Sequence, residues 1–225
     1  MKFIINIFIL LLPVVVLAQK ADSVKVDSTK QKKDFLPTGI RVGTDVISLI
    51  RTATENDFSG YEFNAEVDFY RYYLAVEAGR WEKKLITDEE NYRNSGNYMR
   101  IGIDVNFLLK DPDRNAFFFG LRYGTSTYSE DLTLITTDPV WNTNTVTYSN
   151  DNLHASWGEL TTGLRVKMWK FFWMGYTARY KFALNTNEPG GLVSYDVPGY
   201  GRTGSSTTWG FNYLLLFRMP IRKQK

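Results

Sequence analysis

Between Asn97 and Phe107 the chain alternates strictly. Met99, Ile101, Ile103, Val105 and Phe107 fall on one parity; Arg100, Gly102, Asp104 and Asn106 fall on the other. A period of two is the signature of a strand that separates an apolar medium from a polar one. The pattern recurs eight times, over 39–51, 58–70, 72–83, 97–109, 116–128, 154–168, 170–184 and 206–219. Most of these segments exceed the roughly 5 or 6 residues of an ordinary strand and suit the roughly 9–11 residues a membrane-crossing strand needs. Three connections are short: Tyr70-Arg71-Tyr72, Lys110 to Asn115, and Met168-Trp169-Lys170. The other four, 52–57, 84–96, 129–153 and 185–204, are long. Alternating short turns and long loops predict an all-β fold: an eight-stranded antiparallel up-and-down transmembrane β-barrel with short periplasmic turns and long extracellular loops.

Alternation alone leaves open which face points inward, because a soluble lipocalin-like barrel alternates too. The glycines decide it. Gly43, Gly60, Gly79, Gly102, Gly120, Gly124, Gly163, Gly175 and Gly210 share the parity of their strand's charged residues. The interior of an eight-stranded barrel is just wide enough for side chains to fill. Long charged side chains fit there only beside small neighbours, so the charged face is the lumen and the apolar face meets lipid. Strand one breaks parity after Asp45, where Ile47 and Leu49 take the polar register; a bulge or an early strand end accounts for that.

The lumen then holds Asp45, Glu62, Glu66, Asp68, Glu77, Asp104 and Glu159 against Arg41, Arg100, Arg122, Arg165, Lys167, Arg179, Lys181 and Arg218. Such near-equal numbers predict an ion-pair network that fills the bore, because unpaired buried charge is costly. Its expected members are Arg100, Asp104, Arg122, Glu159, Arg165 and Arg179. Counting up from the turns predicts a central Arg122–Glu159–Arg179 cluster. The network fills and rigidifies the barrel; a proton path or narrow ion channel is the sharper alternative.

Residues 1–18 read as a signal peptide, with Lys2 before an apolar run from Phe3 to Leu17 that ends in Val16-Leu17-Ala18. That run is short for a spanning helix, and an uncleaved anchor is the rival reading. Residues 19–37 read as a disordered periplasmic lead-in, where Lys30, Lys32 and Lys33 sit in a solvated linker; 38–220 is the barrel and 221–225 a basic tail. There is no cysteine, which removes a lipoprotein, thiol catalysis and Cys-based metal sites. Basic residues number 27 and acidic residues 24, too close a balance for a nucleic-acid partner. Aromatics make up 16% of the chain, which suits rings at two membrane interfaces.

Candidate chemistry is sparse. His154 is the only histidine and shares a face with Ser156, so the pair offers a base beside a hydroxyl. His154-Ala155-Ser156 resembles the His-x-Ser element of outer-membrane lipid A deacylases. The asparagine expected next is Trp157 here, and no acidic partner is evident beyond Glu188 in a loop. The loop 129–153 carries Leu132, Leu134, Val140 and Trp141 among threonines, with Asp138-Pro139 near its turn. It reads as a strand hairpin continuing above the membrane, with a free edge for a partner strand. Glu188-Pro189-Gly190-Gly191 and Asp196 to Arg202 are turn chemistry rather than a phosphate loop, since no helix follows. Asp88, Glu89 and Glu90 match no metal-ligand spacing.

The leader, the eight strands, the Val197-Pro198-Gly199-Tyr200-Gly201 loop and the closing strand from Trp209 to Arg218 together resemble the small uncharacterised outer-membrane β-barrel proteins of Bacteroidota. The resemblance implies an architecture and carries over no functional residue. One departure stands out: the chain ends Ile221-Arg222-Lys223-Gln224-Lys225 rather than on an aromatic, with Phe217 its last ring. The expectation is therefore a cell-envelope protein, monomeric, in the outer membrane with both termini in the periplasm. Its role is structural or surface-interacting, without catalysis, cofactor or metal. Outer-membrane lipid and lipopolysaccharide surround it, and a surface or periplasmic protein is a possible partner. A lipid A or phospholipid-modifying enzyme using His154 and Ser156 is the alternative of a different class.

Overall fold

A computed structural model describes residues 35–138, 142–186 and 194–222. The expected leader, most of the lead-in, Pro139 to Trp141 and Glu188 to Gly191 lie outside the described residues. The chain is all-β. Strands β1 (Pro37–Asp45), β2 (Phe58–Phe69), β3 (Tyr72–Ile86), β4 (Glu90–Asn106), β5 (Ala116–Asp138), β6 (Asn142–Trp169) and β7 (Phe172–Thr186) run up and down in sequence. Two-residue strands β8 (Asp196–Val197) and β9 (Gly201–Arg202) follow, and β10 (Thr207–Pro220) ends the sheet. The eight long strands form one antiparallel sheet closed on itself, with β10 between β7 and β1. Closure runs from Gly39 opposite Pro220 to Asp45 opposite Leu214. The helix α1 (Val46–Thr54) is too short to cross a membrane, and no described helix is long and apolar enough to do so.

Strand one is shorter than expected. It ends at Asp45, and the segment with Ile47 and Leu49 is helical. Asp45 causes the switch. One carboxylate oxygen caps the helix by accepting from Ser48 N at 3.1 Å and Ser48 Oγ at 2.7 Å, and the other accepts from Tyr213 N at 2.9 Å. Arg51 and Glu55 pair one turn apart at 2.8 Å and close the helix. Two expected loops are also largely strand. β3 and β4 pair as far as Ile86 and Asn91, and β5 and β6 pair to Asp138 and Asn142, making strands of 23 and 28 residues. The continuing hairpin is thus present, while most of 84–96 is ladder rather than loop.

Side-chain direction follows parity. Phe119 is 50% exposed and Ile103 53%, whereas their charged neighbours Arg122 and Asp104 are 4% and 1% exposed. The ring therefore carries apolar side chains on its outer face and charges within. The glycines supply the room. A Cβ on Gly124 would run into the Trp157 indole, one on Gly120 into the Asp104 carboxylate, and one on Gly102 into Arg122. Large interior groups therefore sit across from bare backbone on the adjacent strand. At the turn end, Tyr70 and Lys170 adopt positive φ of 57° and 34° to reverse the chain in two residues.

Gly124→Val is expected to destabilise the ring by about 1–3 kcal/mol through overpacking. Gly204→Ala, with nothing within 4 Å of the added carbon, should be neutral. Urea unfolding followed by tryptophan fluorescence checks both.

Candidate functional site

The site is the filled interior. Acids cluster on one wall: Glu62, Glu66 and Asp68 on β2, and Glu77 on β3. Bases face them from β1, β4 to β7 and β10. At the turn end Asp68 takes Arg218 at 2.9 Å and Thr38 Oγ at 2.7 Å. One layer up, Glu66 holds Arg165 at 2.7 Å and Arg41 at 3.5 Å. Arg41 also lies over the Tyr73 and Trp173 rings, at 4.7 and 4.9 Å, and Arg165 lies over Phe118 at 4.7 Å. At mid-height Glu77 receives Arg100 at 2.7 Å, Arg179 at 2.8 Å and Arg122. Asp104 takes the other arm of Arg122 at 2.7 Å, and Glu159 takes Arg179 at 2.8 Å and Trp157 Nε1 at 2.7 Å. Above them Glu62 binds Arg100 and accepts from Tyr98 Oη at 2.6 Å.

The expected residues are all buried inside the ring, but the cluster is centred elsewhere. Arg122 lies directly opposite Glu159 in the strand register, yet its guanidinium reaches past it to Glu77 and Asp104. Glu77, not Glu159, is where Arg122 and Arg179 meet. Arg165 belongs to a separate layer with Glu66. Parity placed Glu77 inside, but a strand-by-strand count cannot find a contact from β7 to β3 across the bore. The neutral partners Asn64, Tyr98, Thr161, Thr177 and Asn212 add hydrogen bonds: Asn64 and Asn212 donate to Glu77 at 3.2 Å and Glu62 at 3.3 Å. Their signal was the same parity. Lys167 is at the margin, partly exposed and paired with Asp113 at 3.0 Å.

The loop end is capped from within. The β8–β9 hairpin folds into the mouth through a turn at Gly199, whose φ of 81° and packing against the Tyr98 ring both require glycine. Lys181 donates to the Gly199 and Tyr200 carbonyls at 2.8 and 3.0 Å, and Lys83 pairs with Asp196 at 2.7 Å. Val197 and Tyr200 join Tyr98, Tyr128, Leu153, Ala155 and Trp157 in one apolar cluster. Beside it, Glu130 accepts from Tyr92 Oη at 3.0 Å and Ser194 Oγ at 3.1 Å. Burial, and then the Glu130 carboxylate, push the Tyr92 phenol well above its ordinary pKa, so it remains a donor. Burial also raises Tyr200. A cavity of about 220 Å³ remains beneath the hairpin, beside Trp81, Arg100 and Lys181.

His154 and Ser156 sit on the outer face, as their parity requires. The His154 ring bonds Thr127 Oγ1 at 3.1 Å, and no hydrogen bond joins it to Ser156. Among the described residues, no group of three His, Cys, Asp or Glu side chains could hold a metal ion.

Fold and site together define an all-β protein closed around a charged, filled interior. The chain belongs to the family described as Domain of unknown function (DUF6048), whose model matches residues 1–224. No curated protein matches it.

Glu77→Gln leaves three arginines around a neutral amide and is expected to cost about 3–5 kcal/mol, the range for breaking a buried ion pair. Glu55→Gln removes only the surface pair with Arg51, expected to be worth less than about 0.5 kcal/mol. Urea midpoints of the two variants test the contrast.

Proposed function

We propose that this chain is an integral outer-membrane β-barrel, of the Bacteroidota type its sequence resembles, with a closed, charge-paired interior and a structural or surface-interaction role. The observation that carries this reading is the outward face. Phe63, Ile103, Leu121, Leu160 and Phe211, on β2, β4, β5, β6 and β10, are 61%, 53%, 63%, 51% and 53% exposed. A soluble monomer rarely exposes a contiguous apolar patch beyond a few hundred Å², and here such residues encircle the ring. Met99 to Phe107 and Trp209 to Met219 give apolar bands within the roughly 9–11 residues of a spanning strand. Trp169, Phe171 and Phe172 at the turn end and Trp209 at the loop end supply rings where interfaces fall.

The turn end faces the periplasm in this reading and the long β3–β6 strands project outward from the cell. Ion pairs occupy the bore and the hairpin covers it, which favours a sealed barrel over a channel. The β5–β6 ribbon supports the interaction role: Val146 and Tyr148 are 40% and 48% exposed, and among the described residues the β6–β7 ladder begins at Ala155. Its Thr- and Asn-rich edge suits an added strand from a protein partner.

Membrane fractionation followed by gel electrophoresis with and without heating tests the proposal. The full chain is expected in the detergent-extracted envelope fraction, with a folded band that migrates faster than the heated one. Recovery in the aqueous fraction without detergent would sink it. A His154→Ala, Ser156→Ala double variant is expected to leave the mass spectrum of lipid A unchanged; an altered spectrum would transfer the role to the enzyme alternative.

A further inference from the structure

At the turn end, the β4–β5 connection, the β6–β7 turn and the last residues of β10 enclose a second cavity, of about 180 Å³. Its wall carries Arg114, Lys167, Lys170 and Arg218 against one acid, Asp113. Asp113 is engaged by Lys167 at 3.0 Å. Arg218 is 7% exposed, and its Nη2 is held by Asp68 at 2.9 Å. The Nε of the same guanidinium is buried without a hydrogen-bond partner. The guanidinium lies flat over Gly39, where a Cβ would come within 2.7 Å of Cζ.

Arg114 is fixed in this wall at a φ of 60°, in a turn organised by Asp111, whose carboxylate accepts from Asp113 N at 2.9 Å and Asn115 N at 3.0 Å. Burial, and then the charge of Arg218, lower the Arg114 pKa from its ordinary value. Four basic side chains thus line one space together with a single lining acid, Asp113, while Asp68 stands behind Arg218.

We propose that this cavity binds a phosphate group, with Arg114, Lys167, Lys170 and Arg218 converging on its oxygens. Two guanidinium forks suit a tetrahedral oxyanion, and the lysines add charge without fixed direction. The phosphate has two sources, a free ion or a phospholipid headgroup of the inner leaflet. The headgroup has a second observation in its favour, and this part rests on the membrane reading. Phe171 lines the cavity and packs on Phe217 at 5.8 Å. Phe217 and Phe172 in turn line an outward apolar groove of about 590 Å³, with Val42, Phe63 and Leu215. Charged pocket and apolar groove therefore adjoin, as the two halves of a lipid do.

Calorimetric titration of the full chain in maltoside micelles tests this, with inorganic phosphate in one arm and submicellar short-chain phosphatidylglycerol in the other. Saturable phosphate binding is expected. It should weaken by at least about tenfold in the Arg114→Gln, Lys170→Gln double variant and stay unchanged in Lys84→Gln at the opposite end. Should the double variant lose its fast-migrating folded band, Lys170→Gln alone, in an exposed turn, replaces it and is expected to weaken binding in the same direction. Tighter binding of the lipid than of phosphate assigns the headgroup; equal binding assigns the free ion. No binding in either arm, acetate binding as tightly as phosphate, or equal losses in the pocket variants and Lys84→Gln overturns the proposal. If the chain proves soluble without detergent, the membrane reading fails separately and the phosphate arm runs in buffer alone.

Discussion

The structure depends on carboxylates of one wall reaching guanidinium groups of the opposite wall across a bore too narrow for water to separate them. Glu77 on β3 receives arginines from β4, β5 and β7. Glu66 on β2 receives Arg165 from β6. Arg100 and Glu77 lie on paired strands, but Arg122, Arg179 and Arg165 reach carboxylates on strands with which theirs share no backbone hydrogen bond, so closure of the ring and pairing of charge are one event. Removing two ions from water costs several kcal/mol apiece, and their attraction recovers this only with good geometry and satisfied remaining valences. Asn64, Asn212, Trp157 and Tyr98 provide part of that satisfaction, while atoms such as Arg41 Nε and Arg122 Nε are buried without a hydrogen-bond partner. The interior is thus a specificity device as much as a source of stability: a strand slipped by one residue would turn its charges outward and its aromatic rings inward.

Filling the bore with charge dictates the rest. The hydrophobic residues have no interior left to occupy, so they line the outside of the ring. The glycines follow from the same crowding. Gly102, Gly120 and Gly124 face Arg122, Asp104 and Trp157 at distances that leave no space for a methyl group. They are structural complements of large neighbours rather than points of flexibility.

The two ends of the ring are built differently. At the loop end the β8–β9 hairpin is drawn down by Lys181 and Lys83 and packs Tyr200 against Trp157. That mouth is closed with its own backbone carbonyls as ligands for the lysine. At the turn end nothing comparable folds inward among the described residues, and basic side chains of the β4–β5 connection, the β6–β7 turn and the ends of β6 and β10 share one small space. The loop end is thus covered by the chain itself, and the turn end presents positive charge.

Strand number, the facing of most strand residues and most of the buried charges were legible in the sequence, because parity and glycine placement are local and a sheet preserves both; Glu130 and Asp196, read as loop, are buried as well. The end of strand one was half legible. Val46, Leu49, Ile50 and Ala53 carry helical spacing after Asp45, a capping residue, but the longer alternating run masked it. The upper parts of β3 and β4 were read as loop because polar residues such as Arg93 and Ser95 occupy the outward face there, so the apolar half of the alternation fades while the ladder continues. Tertiary structure alone decided that Arg122 passes over its register neighbour Glu159 to meet Glu77, that Val197 and Tyr200 turn into the mouth, and that Arg114, Lys170 and Arg218 line one cavity. Those are contacts across a closed ring, set by its diameter and shear, and a linear chain carries no measure of either.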